Sequence, residues 1–204
     1  MSKPYVALIA DAADSRDLPP RERAHLQDAL RAALRDLNKR YRHALAARFA
    51  VTLGDELQCL LGDARLVWEI SHDIRHTFAA VDWIVACGKG PVTTRLTPGI
   101  TAPEVDGPCF HTARAALQHA KDERRVLAFG GFNPGPLDAF TSYYSALYWS
   151  WTANQRREAN RWRSATARPD DTRHPTTFSH LRRRMAWPLV AAGDKMFRAL
   201  LETA

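Results

Sequence analysis

These 204 residues contain no apolar run near the roughly 20 that a membrane-spanning helix needs. Helical membrane spans are therefore not expected. The start shows no basic stretch followed by an apolar segment and a small-residue cleavage site, so a secretory leader is not expected either. Cysteine is scarce: Cys59, Cys87 and Cys109 are far apart and form neither a ligand pair nor an even framework. That argues against a disulfide scaffold and fits the reducing cytoplasm, each thiol being a small core side chain. The hydrophobic fraction of 46% is too high for a disordered chain and sufficient for a packed core, one ordinary domain with a smaller appendage.

The formal net charge is +7 and unevenly spread. Residues 1–131 hold 18 Lys and Arg against 16 Asp and Glu, whereas 132–204 hold 11 against 6. The excess sits in the tail, where every Lys-or-Arg position between Trp151 and Trp187 is an arginine. A polyanionic partner is expected to meet the chain there.

What is present is organised around two acidic turns. Residues 5–10 (YVALIA) form an apolar run short enough for a buried strand, and Asp11 and Asp14 follow it. In residues 48–61 (RFAVTLGDELQCLL) apolar positions flank Gly54-Asp55-Glu56 in a hairpin pattern. Acids at such a tip are either a solvated turn or a cation site. If the two strands are neighbours, Asp11, Asp14, Asp55 and Glu56 make the oxygen-rich, partly hydrated site that Mg²⁺ or Mn²⁺ takes.

Further periodicities place helices over 21–43, 64–79 and 109–121. Strands are expected over 80–87, 92–96 and 125–129, the first two joined by a Gly-rich turn. His72 and His76 stand one turn apart, and an exposed helix face is a simpler reading than half a metal site. The order of elements predicts a ferredoxin-like α/β sheet with helices on one face, strand 5–10 being central and beside strand 48–53. Gly130-Gly131 and Pro134-Gly135-Pro136 mark a boundary between 1–131 and an all-α tail, 132–204. There, 137–151 is rich in aromatics, Thr152 suits a cap for a helix over 153–162, and a polar loop spans 164–174. Helices over 175–184 and 188–201 close the chain.

On YVALIADAADSR, FAVTLGDELQCLL and DGPCFHTARAAL, and in the tail on WTANQRRE and TTFSHLRRRMAWPLV, the chain resembles the SatD family of bacterial proteins over nearly its whole length. Residues 1–131 resemble, more distantly, the class III nucleotidyl cyclase fold. That resemblance implies divalent metals held by Asp11 and Asp55 against a nucleoside triphosphate, with Lys89, His111 and Arg114 as nucleotide-binding residues. The base-selecting Lys of the pattern is Val51 here. Its catalytic Asn and Arg fall near His111 and Ala115, leaving Arg114 one residue off and about 100° round a helix. Metal or nucleotide binding is the expectation; cyclisation is not.

The tail resembles a degenerate helix-turn-helix without its middle helix. Thr176, Thr177, Ser179, His180, Arg182, Arg183 and Arg184 suit phosphate and base-edge contacts. The resulting reading is a cytoplasmic regulator with a metal- or nucleotide-binding core, a DNA-binding C-terminal domain and a homodimer as its assembly. Its alternatives are a divergent metal-dependent cyclase or phosphoryl-transfer enzyme, and a non-catalytic scaffold.

Overall fold

The computed structural model describes residues 3–52, 55–164 and 175–204, the side chains of Arg16 and of 175–178 excepted. The hairpin tip at Leu53 and Gly54 and the polar loop over 165–174 lie outside the described residues.

Five strands form one sheet in the order β2-β3-β1-β4-β5. The apolar strand β1 (Tyr5–Ala12) is central, flanked by antiparallel β3 (Glu56–Leu61) and β4 (Trp83–Gly90). β2 (Leu45–Thr52) pairs outside β3, and β5 (Leu127–Gly130) runs parallel to β4. With α1 (Pro20–Arg40) and α2 (Val67–Thr77), the first four strands make the ferredoxin-like βαββαβ unit. α3 (Pro108–Asp122) is the crossover to β5. Strand β1 is central as expected, but its neighbour is β3 and not β2. The crossover through α1 leaves a one-strand gap beside β1, and the hairpin folds β3 back into it.

Helices cover both faces of the sheet, not one, which is why β1 is apolar on both sides. Val6, Leu8 and Ala10 face α1 and α2, while Ala7 and Ile9 face α3. The inner side of α3 is Ala113, Ala116 and Ala120, and Gly88 of β4 lies beneath it. A Cβ on Gly88 would stand 2.1 Å from the Cys109 carbonyl oxygen. Gly88 thus serves close packing inside a strand, and β4 runs straight through the expected Gly-rich turn. The strand expected over 92–96 is not formed. Instead a loop is closed by Thr93 N–H donating to the Asp106 carbonyl at 2.9 Å and Asp106 N–H donating to Thr94 Oγ1 at 2.8 Å.

The tail forms α4 (Pro134–Ser150), α5 (Ala153–Arg163), α6 (Pro175–Arg184) and α7 (Trp187–Glu202). Thr152 caps α5 in a reciprocal box with Gln155. The apolar sides of these helices join the α1–α2 face of the sheet in one continuous cluster. Trp68 of α2 is at its centre, 4.9 Å from the rings of both Tyr144 and Phe197. The composition break at 130–136 is therefore a change from sheet to helical layer, with core on both sides. An ion pair is buried there: Arg163 donates to both oxygens of Asp194, at 2.7 and 2.8 Å. Around it stand Trp68, Tyr144, Trp151 and Trp187, their centroids 5.1 to 5.7 Å from the guanidinium carbon. Among the described residues no helix is long and apolar enough to cross a membrane.

Candidate functional site

The pairing of β1 with β3 brings the two acidic turns together. Asp11 and Glu56 stand opposite each other in the antiparallel register. Side chains alternate along a strand, so both follow Ile9 and Leu60 onto the face covered by α3. From that helix two cations, two turns apart, reach down to them. Arg114 makes a two-point ion pair with Glu56, one N–H donating to Oε1 at 3.0 Å and another to Oε2. Lys121 Nζ lies 2.7 Å from Asp11 Oδ2. Glu56 also accepts from Thr52 Oγ1 and Gln58 Nε2, each at 2.6 Å, and is buried. It is neither a solvated turn residue nor an open ligand. Asp55 accepts a hydrogen bond from the Ser15 hydroxyl.

The two facing carboxyls shift in opposite directions. Burial pushes Glu56 up, but hydrogen bonds from Arg114, Thr52 and Gln58 outweigh it and hold the group below its usual range. Burial also dominates at Asp11 and leaves it raised. There Lys121 opposes the rise, and the charges of Asp55 and Glu56 add to it.

The other sequence candidates are dispersed. Lys89 pairs with Val6, five residues along β1 from Asp11 or about 17 Å. It lies on the α2 side of the sheet with its ammonium 5.6 Å from the Phe132 ring centre, so the sheet separates it from Arg114. His111 is exposed at the start of α3, its Nε2 3.2 Å from Asp106. These three residues do not converge on one ligand. On α6, Ser179, His180, Arg182, Arg183 and Arg184 are exposed and Leu181 is half-buried, and Met185 just after it is buried. The side chains of Thr176 and Thr177 lie outside the described residues.

The family model described as the SatD family (SatD) matches residues 5–127, more than half of the chain. The chain belongs to the SatD family. The SatD match ends in β5, so the tail lies beyond it. No curated protein matches the chain. Among solved structures, the guanylyl cyclase Cya2 is similar at 13% identity and a TM-score of 0.42, over 57% of this chain and 70% of that one. A bacterial light-regulated adenylyl cyclase is similar at 13% identity and 0.44, over 62% and 74%. Likenesses this remote transfer no activity to the SatD chain.

A divalent ion needs oxygens free to coordinate it: Arg114 takes both oxygens of Glu56, whereas Lys121 and Ser15 each hold one oxygen, Oδ2, of Asp11 and of Asp55. Asp14 is exposed, at a left-handed φ of 54° where the chain leaves β1. Among the described residues no group of three or more His, Cys, Asp or Glu is placed to hold a metal ion. His72 corrects the expectation of an exposed helix face, because it is fully buried. Its Nδ1 lies 3.2 Å from Asn160 Oδ1 and its ring meets Trp68 edge-on at 4.4 Å. Sequence reasoning missed Lys121, Thr52, Gln58 and Ser15. Each is an ordinary surface residue type: strand register turns Thr52 and Gln58 toward Glu56, while the packing of α3 and of the turn after β1 brings Lys121 and Ser15 to Asp11 and Asp55.

Proposed function

We propose that this SatD protein is a DNA-binding regulator that contacts the duplex through α6, with an α/β core that does no two-metal nucleotide chemistry. The observation that carries this reading is the solvent face of α6. Ser179, His180 and three successive arginines stand in solvent, Leu181 and Met185 turn toward the core, and the helix sequence contains no acid. Ser179, Arg182 and Arg183 are three and four residues apart and share a face. Arginines presented in this way meet phosphate oxygens or guanine edges. The enzyme alternative needs open carboxylates, and both oxygens of Glu56 and one of Asp11 are engaged, by Arg114 and Lys121.

A mobility-shift assay with genomic DNA fragments at low salt tests the reading. The wild type should retard DNA, and R182A/R183A/R184A should lose most of that retardation. Equal retardation by both proteins, or none by the wild type, refutes it.

A further inference from the structure

α1 ends in a basic face. Arg35, Lys39 and Arg42 are four and three residues apart on one side of the helix and its C-terminal turn, and the edge strand β2 sets Arg48 across from them. With the loop over 97–100 these elements border an open cleft of about 570 Å³. All four cations are exposed, and none makes an ion pair among the described residues. Among the described residues no carboxylate lines the cleft. The nearer acids of α1 turn elsewhere: Asp28 pairs with Arg31 at 3.2 Å, and Asp36 opens onto a neighbouring cleft with Arg40 and Thr77, its rim shared with Lys39.

The walls of the cleft are fixed before any ligand arrives. The Asn38 amide donates to the Phe49 carbonyl at 3.1 Å and accepts the Phe49 N–H at 2.8 Å, tying α1 to β2. Arg48 N–H donates to the Ile100 carbonyl at 2.9 Å, tying β2 to the loop. Leu45, Ala46, Pro98 and Ile100 supply an apolar floor. A helix C-terminus attracts cations with about half a charge. That accounts for basic residues in the last turn of α1, but not for Arg48 on the opposite wall.

Four positive charges around a preformed cleft without a counter-charge call for an anion. We propose that the cleft binds a small organic molecule bearing two or more phosphates. The phosphates meet the four cations, where arginine offers two-point contacts, and the organic part lies on the apolar floor. The volume is that of ordinary small-ligand pockets, roughly 300–1,000 Å³. The cleft shares no residue with α6, so this inference and the DNA reading stand or fall separately.

Isothermal titration calorimetry of the full chain at low salt tests it, with inorganic pyrophosphate and ADP as probes, both free of divalent metal. ADP should bind with a Kd below about 1 mM, and more tightly than pyrophosphate because its organic part uses the floor. Arg42→Ala with Arg48→Ala should weaken both probes about tenfold or more. Its thermal midpoint should stay within about 2 °C of wild type, since both side chains are exposed. Arg42→Lys with Arg48→Lys should retain more binding than the alanine pair. No ADP binding by the wild type at about 1 mM, or unchanged affinity in the alanine pair, overturns the proposal. So does displacement of ADP by a short DNA duplex in the R182A/R183A/R184A background, which would make the cleft a nucleic-acid surface instead.

Discussion

Glu56 and Arg114 join α3 to the sheet through an ion pair whose carboxylate side chain is 3% exposed and whose guanidinium side chain is 48% exposed. That asymmetry decides the effect of mutation. Arg114→Ala leaves a buried charge with only Thr52 and Gln58, and should cost about 2–3 kcal/mol. Glu56→Gln leaves an arginine that water reaches, and should cost about 1 kcal/mol. The folded Glu56 titrates below its ordinary 4.5. The pair's stabilisation is therefore complete above pH 4.5 and lost as pH falls through the lower folded value. Urea unfolding should show the Arg114→Ala penalty shrinking in that acid range; a penalty that does not change with pH would contradict the assignment.

Acid should also act through His72. Burial, with the charges of Arg163 and Arg75, holds its ring well below the ordinary 6.5. The unfolded chain takes up a proton near pH 6.5 while the folded one does not. Stability therefore falls below that pH, by about 1.4 kcal/mol per unit at the limit. His72→Gln removes the titration, so its thermal midpoint should drop less than that of wild type between pH 7 and pH 5. Parallel drops would place the acid sensitivity elsewhere.

The Arg163–Asp194 pair should behave as a buried unit. Arg163→Met or Asp194→Leu alone leaves one charge stranded among aromatic rings, and should cost about 3–5 kcal/mol. The double variant restores charge neutrality in an apolar setting and should be more stable than either single variant. A chemical-unfolding double-mutant cycle reads this directly, and simple additivity would contradict it.

Gly88→Ala places a methyl against backbone rather than a side chain that can move, at 2.1 Å from Cys109 O and 2.2 Å from Ala113 N. It should cost about 3 kcal/mol or prevent folding. Gly62→Ala is the control: its nearest neighbour would be 3.8 Å away, and it should change stability by less than about 1 kcal/mol. Equal effects would deny the close approach of α3 to β4.

The apolar run of β1, the stripe of α1, the Thr152 cap and the aromatic α4 were legible in the sequence, because each is a local period or a local hydrogen bond. The neighbour of β1 was not. A β-hairpin after a crossover helix pairs with either of its strands without changing the pattern of any of them. The turn read at Gly88 failed because a glycine that admits a helix backbone looks, in sequence, like one that bends a strand. Asp11 and Glu56 were found as acids of adjacent turns, while Lys121 and Arg114 looked like the solvated face of α3. Their pairing lives in the register between helix and sheet, which no spacing along the chain encodes. His72 looked exposed because Asn160 of α5, which helps bury it, comes 88 residues later.

The central claim, that the α6 arginines carry DNA contact, is tested most directly by fluorescence anisotropy of a labelled duplex titrated at several salt concentrations. Three phosphate contacts alone imply a slope of log affinity against log salt near about −2.7, or about forty-fold weaker binding from about 50 to about 200 mM salt. Wild type should show at least that slope, and R182A/R183A/R184A should show one shallower by about 2.7, with its fold intact by circular dichroism. Equal slopes in the two proteins would contradict the account.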